Sequence, residues 1–540
     1  MSLESFPNQT NYFTFSMKNL NVEALIEPMI QTYKSGENQT LKWRKDQLKL
    51  ISRMLNENEE RWIEAIYADL RKERSEAMYS EILVVENEIK MMLKHLPRWM
   101  KDEHVPSLLP AVPSFCKVQS VPLLEPGCLI ISPFNYPINL SLLPVVGAFA
   151  GGNPCVLKPS ELCPTVSALF SELVPKYFDK GVFQVVEGGV EEVTKLIHQR
   201  WGKIVFTGSP RVGKIVQTAA ASTLTPTLLE LGGKSPVIIP EDCPDDMRVV
   251  CQRLISTKLI NMGQTCVAPD YVMIHRSKVI EFCKEAELAL ERLYGKDRQH
   301  SELSRIVNEA HTNRLIGMIQ DAEQLGAKIL MGGPRFDVHD KFIDLTLVLD
   351  PPLESRIMKE EIFGPILPIL TFDNDEEVIQ HINKSGETPL ALYCFTKSSK
   401  RYEKFCSKCP AGMVMRNDCM LHQLVPDFPF NGLGTSGIGA YTGKYSFDTF
   451  THKRPSMYHI LHNAFEHANL RYHPHGKIKG PILCAVIRYL PNIPILTLRT
   501  KLCLLSGLTL AVHSHWSISN VASDLADLLE HLARTIRKYA

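Results

Sequence analysis

From residue 128 onward, short apolar runs alternate with amphipathic stretches, and this alternation restricts the fold more than any other property of the chain. The runs are CLIIS at 128–132, CVLKPS at 155–160, FQVVEG at 183–188, KIVFTGS at 203–209 and PVIIP at 236–240. They are apolar at consecutive rather than alternate positions, so both faces of each strand must be covered. That is the pattern of a mostly parallel sheet with helices on two sides. Upstream, residues 44–55 and 57–70 carry Leu48, Ile51 and Leu55, then Trp62, Ile66 and Leu70, at the three-and-four spacing of amphipathic helices. A Pro-rich stretch (Pro106, Pro110, Pro113) divides these helices from the first strand. A second α/β series surrounds residue 266, through MRVVCQRLISTKLI, EFCKEAELALERLYG, LTLVLD and ILPILTF, with the junction near Gly232-Gly233. No internal repeat or low-complexity tract interrupts the series. At 540 residues the chain has room for about three folding units of roughly 100 to 200 residues each.

Composition narrows the partners. Sixty Lys and Arg balance 59 Asp and Glu, so no global field draws the chain to nucleic acid, and none is expected as a partner. The opening MSLESFPNQTNYFTFSMKNL has neither the basic start nor the apolar core of a secretory signal and reads as a cytosolic beginning. Fourteen cysteines, scattered singly through apolar runs, fit reduced core thiols rather than a disulfide framework. Cys406-Ser-Lys-Cys409 has a spacing that suits zinc or redox work. No second such pair or paired histidines lie at zinc-finger distance, and no metal is expected.

Several short segments carry chemistry, each with a plainer alternative. KIVFTGSPRVGK puts Gly208 and Gly213 between a strand and a helix, where free amide groups and the helix dipole favour a phosphate or a nicotinamide nucleotide. Such glycines also occur for backbone reasons alone. Lys214 is followed by Ile215, so the hydroxyl of an ATP-binding loop is missing. In LKPSE, Lys158 and Glu161 suit a ribose or phosphate, or form a surface ion pair. Glu230, flanked by Leu228, Leu229 and Leu231, sits where burial would raise a carboxyl pKa toward that of a general base, unless it turns outward at the junction. The amide of Asn135 in ISPFNYP could donate to an oxyanion or serve a turn before Pro137. Cys266 in NMGQTCVAPDY has nothing local that separates a nucleophile from an inert thiol.

Taken in order, ISPFNYPINL, GGNPCVLKPSE, VFTGSPRVGK, LLELGGKSP, NMGQTCVAPDY, EEIFGPILP and NGLGTSGIGAYTGKYSFDTFTHKRP resemble the aldehyde dehydrogenase superfamily over about residues 20–455. ELGGKSP, GQTC and EIFGP are its most specific parts. The short lead, CVAPDY and the SFDTFTHKR ending most resemble the class 3 branch, which includes fatty aldehyde dehydrogenase.

The resemblance implies that Cys266 attacks an aldehyde as a thiolate, activated by local positive potential and bound cofactor. Asn135 and the Cys266 amide would hold the oxyanion, and Glu230 would activate the water that releases a thioester. NAD or NADP would be the cofactor. Glu361 would bond the nicotinamide ribose, Phe363 would pack beside the ring, Lys158 and Glu161 would address the adenosine ribose, and Gly208 and Gly213 would lie along the molecule. Apolar aldehydes, medium- or long-chain aliphatic or aromatic, would be the substrates. A catalytically weak, membrane-associated binding or scaffolding protein is the alternative.

The implied fold is α/β. A Rossmann-like NAD(P) domain would span 20–103 and 123–232, an α/β catalytic domain 233–432, and a small β oligomerisation element 104–122 and 433–455, within a homodimer. Met262, Asn431 and Thr435 depart from the residues usual in the family, and bulky Met262 is expected to shape what reaches the nucleophile. Residues 456–540 form a C-terminal extension. Its longest apolar run, 502–512, is 11 residues against the roughly 20 of a spanning helix. Val521, Leu525, Leu528, Leu529, Leu532 and Ile536 recur on one helical face, which suits a membrane surface, a partner or the protein itself.

Overall fold

The computed structural model describes residues 20–106, 114–459 and 472–489. The two amphipathic segments at the start are helices Leu41–Glu57 and Glu59–Leu70, and Leu48, Ile51, Leu55, Trp62, Ile66 and Leu70 are all buried. Thr40 starts the first of them, its side chain accepting from the Trp43 amide. Arg71 ends the second in a left-handed conformation and turns the chain into Arg74–Ala77, a π-helical turn Met78–Ile82 and the helix Leu83–Trp99.

Four of the five expected runs lie in a six-stranded sheet, and the fifth, PVIIP, belongs to a second sheet. From edge to edge the six-stranded sheet contains Gly437–Ile438, Thr227–Leu231, Lys203–Gly208, Cys128–Ile131, Cys155–Lys158 and Phe183–Val185. Its five chain-consecutive strands are parallel, and every residue of Cys128–Ile131 and Cys155–Lys158 is buried, as strands covered on both faces require. Successive strands run outward from Cys128–Ile131 in one direction and then, from Lys203–Gly208, in the other. The reversal leaves a crevice at the carboxyl ends of these strands, the usual place for a ligand in such sheets. The sixth strand corrects the sequence-based division. Gly437–Ile438, expected in the oligomerisation element, instead pairs antiparallel with Thr227–Leu231 and closes this sheet's edge.

A second sheet of seven strands runs Lys328–Met331, Thr346–Leu349, Ile366–Phe372, Tyr271–His275, Pro236–Ile239, Ala391–Cys394 and Met413–Arg416. All its pairings are parallel except the first, and it holds the largest apolar core, between helices that include Met247–Leu259 and Val279–Tyr294. The two sheets meet in sequence at Gly232-Gly233, between Thr227–Leu231 and Pro236–Ile239.

By contact density the chain divides into two units, Met1–Trp99 with Val121–His452, and Met100–Ser120 with Lys453–Ala540. The described part of the second includes a three-stranded sheet, Glu103–Val105, Ser114–Pro122 and Thr451–His459, and the helix Gly476–Tyr489. Among the described residues no helix is long and apolar enough to cross a membrane. The apolar run 502–512 and the amphipathic segment from Val521 to Ile536 lie outside the described residues.

Helix Asn139–Gly151 is apolar on every side and buried along almost its whole length. Its last turn lies on the chain at Phe450, whose carbonyl accepts a 2.7 Å bond from Asn153 Nδ2, and a Cβ on Gly151 would overlap that carbonyl. Gly151→Ala is therefore expected to lower the urea midpoint of unfolding by the equivalent of about 1–3 kcal/mol. An unchanged midpoint would show that this helix end is not closely packed.

Candidate active site

The end of Thr227–Leu231 and the turn that follows set the first half of the site. Glu230 lies opposite Thr207 on one side and Gly437 on the other. It is buried, and neither carboxylate oxygen has a hydrogen-bond partner among the described residues. Burial alone pushes its carboxyl far above the usual range. Two residues on, the Gly233 amide donates to Glu361 Oε1 at 3.1 Å, and a Cβ on Gly232 would overlap the Glu361 carboxylate. Gly232 thus makes room for the Glu361 carboxylate, and Gly233, whose missing Cβ faces the backbone of Thr388 to Leu390, supplies the amide that binds it. Burial first, then the charge of Asp270, pushes Glu361 up to about 8, against the opposing pull of the Gly233 amide and Lys234.

Lys234, in the same motif, has a part that sequence reasoning missed. It pairs with Asp270 and donates to the carbonyls of Ile357 and Glu360 at 2.8 and 2.9 Å, while Asp270 Oδ2 accepts from the Ile362 amide at 2.9 Å. One buried ion pair therefore ties the residues after Glu230, the residues after Cys266 and the segment bearing Glu361.

Cys266 is half-buried in the loop between Met247–Leu259 and Tyr271–His275. Tyr393 Oη donates to the carbonyl of its neighbour Val267 at 2.6 Å. The thiol is pushed up to about 12, by burial first and then by the charges of Glu361 and Glu230. The backbone amides of Cys266 and Val267 pull the other way, toward the thiolate, but the carboxylates and burial outweigh them. Asn135 Nδ2 donates one hydrogen to the Gln264 carbonyl at 2.9 Å, which brings its amide to the cysteine loop and leaves its second hydrogen for a ligand. Asn135, Glu230, Cys266 and Glu361 are thereby gathered into one centre.

The remaining predicted residues divide. Lys158 and Gly208 stand at carboxyl ends of strands beside the crevice. Lys158 is 3% exposed and pairs with Glu161, which is 52% exposed, so an ion pair does form, with its cation inside and its carboxylate in solvent. Gly208 precedes Ser209, whose side chain accepts from the Val212 amide at the start of helix Pro210–Ser222. A Cβ on Gly213 would press on the Leu231 side chain, so this glycine also serves helix-to-strand packing. Phe363, at φ +54°, meets Phe134 edge-on with centroids 5.8 Å apart.

Met262 is wholly buried in the core of the seven-stranded sheet, the same core against which Cys266 packs. Asn431 is half-buried in the short strand Phe430–Asn431, which pairs with Ala440–Tyr441, and Thr435 Oγ1 accepts from the Thr388 amide at 2.7 Å. A cavity of about 100 Å³ opens beside this hairpin, its wall including Val84, Leu143, Met413, Val425, Phe428 and Phe430. Tyr441, edge-on to Phe430, feels the charges of Glu230 and Cys266 and also that of Glu88 on the cavity wall. Among the described residues no group of three His, Cys, Asp or Glu is placed to hold a metal ion, and Cys406 and Cys409 are both free thiols.

A model of the aldehyde dehydrogenase family matches residues 10–455. Aldehyde dehydrogenase family 3 member H1 of Arabidopsis thaliana is 40% identical over 465 residues, 86% of this chain and 94% of that protein. An enzyme of Mus musculus named "aldehyde dehydrogenase, dimeric NADP-preferring" is 39% identical over 462 residues, 85% of this chain and 99% of that protein. The structure of Staphylococcus aureus AldH in a substrate-bound state superposes with a TM-score of 0.82 at 36% identity, covering 87% of this chain and 100% of that one.

The surroundings of Cys266 make a prediction about the free chain. Alkylation of Cys266 by iodoacetamide, followed on its peptide by mass spectrometry, is expected to keep accelerating as pH rises through 9, because the thiolate is the reactive form. Glu361→Gln should accelerate it at pH 9, where that carboxyl is ionised, and leave the rate at pH 6 nearly unchanged, where it is protonated. A rate that levels off near pH 7 would contradict this electrostatic picture.

Proposed function

The chain belongs to the aldehyde dehydrogenase family and oxidises aldehydes with NAD or NADP; we propose that its substrates are apolar aldehydes, medium- or long-chain aliphatic or aromatic, and that oxidation passes through a thioester on Cys266. The observation that carries the chemistry is Glu230: a buried carboxyl with both oxygens unpartnered, within electrostatic reach of the one half-buried cysteine of the GQTC loop. The apolar cavity beside the Phe430–Tyr441 pair supports the substrate class.

The crevice fits the cofactor on several counts. The strand order reverses there, Lys158 is a buried cation at its edge, and Gly232 lacks the Cβ that would displace Glu361. Lys158, Glu161, Gly208, Gly213 and Glu361 would hold the nucleotide, with Phe363 beside the ring. Bound NAD or NADP supplies the hydride acceptor together with a cationic ring.

The side chains then divide the work. Cys266 Sγ adds to the aldehyde carbon as its proton is lost, a step its carboxylate neighbours oppose until cationic charge arrives. The new oxyanion accepts hydrogen bonds from the second amide hydrogen of Asn135 and from the Cys266 amide. Loss of hydride from the same carbon leaves the acyl group as a thioester on Cys266. Ionised Glu230, whose burial raises its affinity for a proton, takes one from the water that attacks this thioester; the carboxylic acid leaves and the thiol returns.

Residues 20–103 and 123–232 are assigned to cofactor binding and 233–432 to catalysis, supported by the two sheets that meet at Gly232-Gly233. Residues 104–122 and 433–455, apart from Gly437–Ile438, are assigned to a homodimer contact, in keeping with the word "dimeric" in the name of the Mus musculus relative. The extension from 456 is assigned to a membrane surface. On helix Gly476–Tyr489, Ile478 and Ile487 lie on opposite sides, each exposed beside a cation, Lys477 or Arg488, a pairing that suits anionic lipid on whichever side meets it.

Two measurements test these readings. Glu230→Gln is expected to give one equivalent of reduced nicotinamide in a burst and then turn over roughly 100-fold more slowly than wild type, while Cys266→Ala gives neither phase. Wild-type turnover no better than Cys266→Ala on every aldehyde of a chain-length panel would favour the scaffolding alternative. The full chain is expected to sediment with phosphatidylserine vesicles and the Ile478→Asp/Ile487→Asp variant to stay behind; equal sedimentation of both would remove this helix from any membrane contact.

A further inference from the structure

The backbone carbonyl of Asn135 is held by two buried donors that no local motif announces. Lys72 Nζ reaches it at 2.8 Å and Asn261 Nδ2 at 2.7 Å. Lys72 is completely buried, and its ammonium spends its remaining hydrogens on Glu81 Oε1 at 2.7 Å and on the face of the Tyr136 ring, 4.0 Å from the centroid. Tyr136 Oη in turn bonds Thr265 Oγ1 at 2.7 Å, one residue before Cys266.

Glu81 comes from the π-helical turn Met78–Ile82, and its other oxygen accepts from the amides of Ile138 and Asn139 at 3.1 and 2.9 Å. The segment from Asn135 to Asn139 is therefore gripped at both ends by one buried ion pair. Asn261 is fixed separately: Glu76 accepts from its amide at 2.7 Å and from Ser304 Oγ at 2.9 Å.

We propose that Lys72, paired with Glu81, is a positioning residue for aldehyde oxidation: it sets the backbone of Asn135, and through it the amide that holds the oxyanion, while its contact with Tyr136 keeps that amide in register with the cysteine loop. The inference rests on the oxyanion role of Asn135 given under Proposed function. An amide bonded to the Gln264 carbonyl has one hydrogen to aim, and its aim is inherited from a backbone whose carbonyl is bonded in two directions. A misplacement of about 1 Å at such a donor costs on the order of 100-fold in rate.

The test uses the full chain with NAD or NADP and an aldehyde that wild type oxidises. Lys72→Met is expected to lower kcat about 100-fold, to leave the cofactor KM within about twofold, and, when added to Glu230→Gln, to abolish the burst of reduced nicotinamide that Glu230→Gln alone gives, because acylation becomes rate-limiting. A general loss of stability would reduce the active fraction without changing which step is slow. Removing one partner of a buried pair leaves the other charge unpaired. If Lys72→Met does not fold, Lys72→Met/Glu81→Gln, which removes both charges, and Asn261→Ala, which removes the second donor and no charge, are read in its place, with the same loss of burst expected in the Glu230→Gln background. A folded variant of this set that keeps the burst in that background and, by itself, a kcat within about threefold of wild type overturns the proposal. Asn135→Ala separates the two levels: normal turnover in that variant overturns the oxyanion reading and this inference with it, whereas an impaired Asn135→Ala beside a normal Lys72→Met overturns this inference alone.

Discussion

The backbone carbonyl of Gln264 is the point on which the catalytic centre is assembled. It accepts from the side-chain amides of Asn135 at 2.9 Å and Asn261 at 3.2 Å, so the oxyanion donor and the turn before the nucleophile share one acceptor. The Gln264 side chain bonds the carbonyls of Asn261 and Arg305 and accepts from the Val307 amide, which fixes the loop from its other side. Every polar group in this knot is buried or nearly so, and all those named are paired except Asn261 Oδ1, which has no partner among the described residues and so carries a cost of about 1–3 kcal/mol. Such a knot has few alternative arrangements. The amide of Asn135 is therefore in place before any substrate arrives, which is the condition for a donor to be worth more at the transition state than in water.

Around that knot the charges are arranged against the resting thiol. Where they are ionised, Glu230 and Glu361 both oppose ionisation of Cys266, and burial strengthens each effect because little water is present to screen it. The same burial raises the proton affinity of Glu230, as its later task requires. An arrangement that suppresses the nucleophile and favours the base is coherent if the cationic cofactor ring governs the order of events. In the mechanism we propose, the thiolate forms beside bound cofactor and Glu230 acts once an acyl group occupies Cys266. Lys234 does not relieve the suppression, because its hydrogens are taken by Asp270 and two carbonyls.

Much of this was legible in the chain because the chemistry sits in contiguous motifs. Strands apolar at every position gave the parallel sheets, and Cys266, Glu230, Asn135 and Glu361 stand in segments whose neighbours are specific. Lys72, Glu76 and Glu81 were not legible. They lie in RKERSEAMYSEI, which reads as a charged helical surface, and Lys72 meets its acceptor 63 residues away. Only the left-handed turn at Arg71 and the π-helical turn carry those charges inward, and neither has a sequence signature. Gly213 stands in a ligand-binding pattern, and its missing side chain also makes room for Leu231, a packing role the motif does not announce.

Met262 illustrates why local sequence misleads at such a centre. Asn261, Met262 and Gly263 take φ values of 50°, 53° and 74°, three consecutive residues in the left-handed region, of which only the glycine does so without penalty. Each non-glycine residue held this way costs of order 1 kcal/mol or more, so the surrounding structure must over-determine it. Both restraints are visible: Asn261 is bonded through its amide, its carbonyl and its side chain, and the Met262 side chain fills the core of the second sheet. A bulky apolar residue at 262 therefore acts as an anchor. It offsets the strain of the turn by burial, and so helps keep the Gln264 carbonyl where Asn135 and Asn261 both find it.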